Sequence, residues 1–337
     1  MWQKLHKLSL SITASVAIRS ANESLSYAGG VPPVNDPLYS KQASYMEAIN
    51  VPSAWRRLTS TRVERHRVTV GLVDSGVEKD HPDLVGNLVE GYNVVMRNSS
   101  TDDQTGHGTS MAGVLGAKIN NSVGSAGVMD FVNIMPISVG IHFREKTESL
   151  AVDYAIRNTE GKDIKILIMA FSGEKDKPLF VEKLREADKA GILMIVTAGN
   201  TGSNTTINKR FPCALTTELN GMLCVAATEQ VKMRLSELSS FANYVDIAAP
   251  GVGIVTTVRD KTYSEGEGTS SAASIIAGVA AMLYSIAPGL SSRDVKNILK
   301  DTAKKGLKDA TGKVTLPFGL VDADAAVAKA ISYHLRY

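Results

Sequence analysis

The segment Ile164–Ala170, apolar at every position except Lys165, constrains the fold more than any other feature. A strand with one wet face alternates polar and apolar residues, whereas an unbroken apolar run reads as a strand buried on both faces. Such strands belong to parallel sheets covered by helices. The rest of the chain fits this. Strand-like Val68–Val73, Val132–Val139, Ile192–Val196, Met222–Ala227 and Val245–Ala248 alternate with helix-like Met111–Ala117, Glu148–Arg157, Phe180–Lys189, Ser271–Ser285 and Ser292–Ala303. The alternation predicts an α/β fold, a doubly wound parallel sheet with helices on both faces in three layers. Active groups in that architecture gather at the carboxyl ends of strands. Asp74 and Asn200 each follow a strand.

Composition narrows the class. A chain of 337 residues buries a large core, and 44% hydrophobic with 21% charged residues is ordinary for a globular protein. The net charge of +3, with no basic stripe interleaved with aromatics, gives no reason to invoke nucleic acid. No uninterrupted apolar stretch approaches the roughly 18 residues of a membrane span. Ile275–Tyr284 reads instead as a buried helix. Residues 1–30 lack periodicity, end in Gly29–Gly30 and read as a leader or linker, leaving 31–337 as one domain. Lys4, His6 and Lys7 before Leu8–Ile18 have the layout of a secretory signal, although Ser9, Ser11, Thr13 and Ser15 dilute it. Cys213 and Cys224 are too few for a disulfide scaffold; one disulfide and two buried thiols both stay open. The sequons at Asn22, Asn98, Asn120 and Asn204 matter only for a secreted chain.

Four short segments hold groups suited to acyl transfer, which needs a nucleophile, a base, a group to orient the base, and donors for an oxyanion. Asp74 in Val73-Asp74-Ser75-Gly76 is an acid at a strand end, able to hold an imidazole tautomer. His107 lies between Gly106 and Gly108, which let backbone approach closely and leave the ring accessible. Asn200 follows Thr197-Ala198-Gly199 and offers a side-chain amide donor. Ser270 opens an apolar helix after Gly268-Thr269, at the positive end of the helix dipole. Each segment alone also reads plainly as a turn residue or a helix cap. Together, in the order Asp, His, Ser, they are far more specific.

Around these residues the sequence resembles the subtilisin-like serine protease (subtilase) family over roughly Asp36 to Ala330. Val73-Asp74-Ser75-Gly76-Val77 with His81-Pro82-Asp83-Leu84 is similar to the family's Asp segment. His107-Gly108-Thr109 with Met111-Ala112-Gly113, Ala198-Gly199-Asn200, Ala249-Pro250-Gly251 with Gly268-Thr269-Ser270, and Phe318-Gly319-Leu320-Val321 resemble its His, oxyanion, serine and C-terminal segments. The resemblance implies a serine endopeptidase acting on extended polypeptides. Ser270 is then the nucleophile, His107 the base and Asp74 its orienting acid, with Asn200 and the Ser270 N–H as oxyanion donors. It makes Ile164–Gly173 an edge strand pairing with substrate, with Ala170, Phe171, Ser172 and Gly173 at the cleft opposite Thr197, Ala198 and Gly199. It places Arg210 at the floor of the S1 pocket. Thr201 stands where many relatives carry Glu at the rim, so the combination predicts a preference for acidic P1 residues; the alternative is that Arg210 extends to solvent and merely shortens the pocket. It also implies structural Ca²⁺ held by Asp36 and Asp83, the Asn121 side chain, and carbonyls of Ile119, Val123 and Ser125. Asn35-Asp36-Pro37 suits the thermitase-like branch. Secretion, or a secretory-pathway lumen, is the implied location. About thirty residues precede the catalytic region, fewer than the usual inhibitory propeptide.

The chain departs from the family pattern at Ser110, Ser271, Ser274 and Ile275, and carries Ala170-Phe171-Ser172 where Ser-Leu-Gly is common. None of these removes a catalytic group. A catalytically silent binding protein of the same fold is the alternative, and the four intact groups disfavour it.

Overall fold

The computed structural model describes residues 33–159 and 161–335; the expected leader over 1–30 lies outside them. In chain order the elements are α1 (Tyr39–Ala48), α2 (Val51–Ser60), β1 (Val68–Asp74), β2 (Tyr92–Asn93), α3 (His107–Gly116), β3 (Val132–Ser138), α4 (Glu145–Arg157), β4 (Ile164–Met169), α5 (Pro178–Lys189), β5 (Leu193–Thr197), β6 (Met222–Thr228), β7 (Ile247–Pro250), β8 (Ile254–Val258), β9 (Thr262–Gly266), α6 (Thr269–Ile286), α7 (Ser292–Thr302), β10 (Gly319–Leu320) and α8 (Ala323–His334). Eight strands form one parallel sheet in the order β10-β7-β6-β5-β4-β1-β3-β2, and β8 with β9 makes a separate antiparallel hairpin.

Alternate residues of the same strands enter two cores. Val70, Leu72, Ile166, Ile168 and Ile195 face the side covered by α3, α6, α7 and α8. Val73, Leu167, Met169, Met194 and Val196 face the side covered by α4 and α5. These are the three layers expected from the unbroken apolar strands. Every residue of α6 except Ser270 is buried. That helix is long and apolar enough by composition to cross a membrane, yet it packs inside the core.

The strand order reverses between β1 and β4: the chain goes from β1 to the edge at β2, comes back to β3 beside β1, then crosses to place β4 on the other side of β1. Ligands bind outside the carboxyl ends of strands at such a switch point. Asp74 ends β1 and Ala170 follows β4 at this crevice.

One expectation is corrected. Ile164–Met169 is not an edge strand, because β4 pairs with β1 on one side and β5 on the other. Only Ala170–Gly173, past its carboxyl end, leaves the sheet. The sequence also did not reveal α1, α2, α8 or the hairpin. In α1 the buried face includes Gln42, whose amide exchanges hydrogen bonds of 2.8 Å with both backbone groups of Ala126. A buried polar residue of this kind blurs the helical period. The two cysteines are joined as a disulfide with Cα atoms 5.1 Å apart, tying the segment after Arg210 to β6.

Candidate active site

Asp74 is 1% exposed at the end of β1. His107 is the first residue of α3, after Gly106 in a left-handed conformation. Its Nδ1 lies 2.8 and 2.7 Å from the two Asp74 carboxylate oxygens. A carboxylate only accepts, so Nδ1 carries the proton and Nε2 keeps the lone pair of the neutral ring. Burial works against a charged ring, but the Asp74 charge and hydrogen bond and the Asp103 charge outweigh it, raising the His107 pKa above its ordinary value. Gly108 allows this closeness: a side chain there would overlap the Gly76 carbonyl oxygen and lie 3.1 Å from Asp74 Cβ.

Asp103 organises the histidine loop and was missed in the sequence. Its Oδ1 accepts from the N–H groups of Thr105 (3.0 Å) and Gly106 (2.9 Å) and from Ser75 Oγ (2.7 Å). Its Oδ2 accepts from Thr109 N–H (2.9 Å) and the Thr109 hydroxyl (2.6 Å). The available signal was an Asp three residues before a glycine that precedes a helix, the setting of an Asx turn.

Ser270 lies in the first turn of α6, behind Gly268 at φ 141°. Its Oγ donates to the Ala170 carbonyl at 2.9 Å. Asn200 Oδ1 accepts from both the N–H (2.9 Å) and the hydroxyl (2.8 Å) of Thr269. Two donors on one atom fix the amide orientation, so Nδ2 is the donor end. A side chain on Gly268 would come within 3.1 Å of that nitrogen. Asp74 of β1 is thus paired with His107 of α3, and Asn200, after β5, is tied to Thr269 next to Ser270 at the start of α6.

Ala170–Gly173 forms one wall of the cleft. Gly173 exchanges backbone hydrogen bonds of 2.8 and 2.9 Å with Phe211. Thr197 and Ala198 are buried, and Gly199 at φ 99° turns the chain toward exposed Asn200. Ser172 points to this side: its Oγ lies 3.0 Å from where a Gly199 Cβ would stand. The Arg210 stem runs past Gly199, its side chain is 16% exposed, and Nη2 lies 3.4 Å from Glu174 Oε1. The expectation of a cation with no rim anion therefore needs correction. Thr201 bonds to Ser203 and Ser240, and Glu174 supplies a carboxylate from the opposite wall, 80% exposed.

A second polar cluster forms where the N-terminal segment meets the loop after α3. Asp36 accepts from the N–H groups of Asn120 (3.0 Å) and Asn121 (3.2 Å). Asp83, fully buried, accepts from Asn121 Nδ2 (2.8 Å) and Ser125 N–H (2.9 Å). Four of the six expected calcium ligands, Asp36, Asp83, Asn121 and Ser125, are in direct contact, and Ile119 and Val123 lie in the same loop. Burial pushes Asp36 up, and burial together with the nearby Asp36 charge pushes Asp83 up to about 6.

The Subtilase family matches residues 65–320. Thermitase of Thermoactinomyces vulgaris is 31% identical over 271 residues, covering 80% of this chain and 91% of thermitase. Subtilisin DY of Bacillus licheniformis is 32% identical over 264 residues, covering 77% and 90%. Among solved structures, proteases from Pseudoalteromonas arctica superpose with a TM-score of 0.75 at 24% identity, covering 89% of this chain and 100% of that one. With the parallel sheet and its switch-point site, these matches establish that the chain belongs to the subtilase family and is a subtilisin-like serine protease.

Proposed function

We propose that the chain cleaves extended polypeptides with Ser270 as nucleophile, His107 as general base and Asp74 as the acid that orients it. The observation that carries this reading is the His107–Asp74 pair at 2.7 Å, which leaves Nε2 as the proton acceptor. Ser270 Oγ gives its proton to Nε2 as it attacks the scissile carbonyl. Asp74 stabilises the imidazolium, and the ring then protonates the leaving amine. Asn200 Nδ2 and the Ser270 N–H bind the oxyanion, with the N-terminus of α6 adding positive potential. Substrate backbone pairs with Ala170–Gly173. Labelling with a fluorophosphonate tests this directly: Ser270→Ala abolishes labelling and Ser271→Ala retains it. The reverse pattern makes Ser271 the nucleophile and defeats the assignment, and no labelling of the unaltered chain favours a silent binding protein.

The Arg210 side chain belongs to the P1 pocket, where a substrate carboxylate takes the place of exposed Glu174. A bidentate, charge-assisted contact contributes on the order of 1.5–3 kcal/mol. Glu or Asp at P1 is then favoured over Leu, and Arg210→Gly removes the preference. An unchanged ratio in the variant excludes it.

Asp36, Asp83 and Asn121, with the carbonyls of Ile119, Val123 and Ser125, suit Ca²⁺. All are hard oxygen donors, and among the described residues no Lys, Arg or His side chain is ion-paired with either buried carboxylate, which accept from backbone N–H groups, the Asn121 amide and the Ser125 hydroxyl. Bound there, the ion supplies the counter-charge for those carboxylates and ties the segment before α1 to the loop after α3. The Cys213–Cys224 disulfide supports an oxidising compartment, in keeping with secretion.

A further inference from the structure

A second pocket lies on the other side of the substrate wall from Arg210. It has a volume of about 230 Å³ and is lined by Phe143, Phe171 and Phe180, with Glu148, Lys175 and Lys177 as its charged groups. Phe171 is the central ring, 4.9 Å from Phe143 and 6.2 Å from Phe180 between centroids. The Glu148 side chain is 1% exposed. Both its oxygens accept from Lys177 Nζ at 2.6 Å, and the Lys177 side chain is 30% exposed. The carboxylate is therefore hidden and the ammonium reachable. Glu148 fixes Lys177 in place with two of its three protons, leaving the third for a ligand. Lys175 adds a second, exposed ammonium.

We propose that this pocket selects an acidic side chain, Glu or Asp, at the fourth substrate residue before the scissile bond. Lys177 is the specificity-determining residue and Glu148 its positioning residue. The inference rests on the proposed pairing of substrate with Ala170–Gly173. Ser270 Oγ touches the Ala170 carbonyl, so the residue at the scissile bond (P1) lies opposite Ala170. An antiparallel peptide rises about 3.3 Å per residue, so P4 lies opposite Gly173. Successive side chains point to opposite faces. Ser172 faces the Arg210 side, which receives P1, and Phe171 faces the other side, which receives P4. The aromatic walls take the aliphatic stem and the ammonium takes the carboxylate.

The test compares kcat/KM for peptides that differ only at P4: Glu, Gln, Leu and Lys. Glu is expected to exceed Gln by about tenfold, and Lys to be worst, since a charge-assisted hydrogen bond is roughly twice a neutral one. Lys177→Met should abolish the Glu-over-Gln ratio while leaving cleavage of the Leu peptide within about twofold. Glu148→Gln should reduce the ratio by releasing the ammonium. If Leu is preferred to Glu and Lys177→Met does not change that order, the pocket is merely apolar and the proposal fails. The same peptides titrated into Ser270→Ala read the P4 ratio by binding alone. A failure of the catalytic reading would thus show as absent fluorophosphonate labelling with the P4 ratio intact. A failure of this proposal would show as normal labelling with no ratio.

Discussion

Two pairs of buried carboxylates, Asp74 with Asp103 and Asp36 with Asp83, differ in what surrounds them. Asp74 meets the His107 ring, and Asp103 is surrounded by three backbone N–H groups and the hydroxyls of Ser75 and Thr109. Protein groups complete that pair. Asp36 and Asp83 converge on one loop with fewer donors, and burial raises both pKa values. Burying a charge is costly unless it is paired, and this second pair is the one proposed to take Ca²⁺. In the proposed function the first pair aligns a reaction and the second, with Ca²⁺, holds two segments together. Changes in the two should therefore separate activity from stability.

The largest expected effect lies in the first pair. Asp74→Asn should lower kcat by about 10⁴-fold, because an amide permits the wrong imidazole tautomer. Its response to calcium should be unaltered; a loss of both would mean that the two regions form one unit. Asn200→Ala should lower kcat by about 10²–10³-fold with little change in KM, a scale set by subtilisin, a relative. A larger rise in KM than fall in kcat would make Asn200 a ground-state contact.

The second pair should move stability alone. At calcium about 100-fold above Kd the native state gains about 2.7 kcal/mol. The Tm should fall on adding a chelator, and the difference should vanish in Asp36→Asn and in Asp83→Asn, with kcat preserved for as long as each variant stays folded. Equal Tm values with and without chelator would remove calcium from the account.

The smallest effect is a displacement of the pH profile. His107 works as a base only when neutral, and its pKa is raised above 6.5. Activity must then fall with decreasing pH through a midpoint above 6.5, read from kcat/KM against pH. A midpoint below 6.5 would mean that desolvation of the ring outweighs the Asp74 charge.

The sequence by itself determined the sheet and the family resemblance. Unbroken apolar strands with helical spacing between them require parallel pairing and two covered faces. Gly-His-Gly and Gly-Thr-Ser mark places where backbone must pass close, which local chemistry dictates. What only the tertiary structure decided depends on residues distant in sequence. Asp103 meets Ser75 and Thr109, Glu174 reaches Arg210, and Lys177 meets a carboxylate 29 positions earlier. The interior place of β4 was also decided there, because two neighbours cannot be counted from one strand. An isolated charge in a sequence reads as solvent-exposed; its meaning appears when packing removes water and leaves one partner within reach.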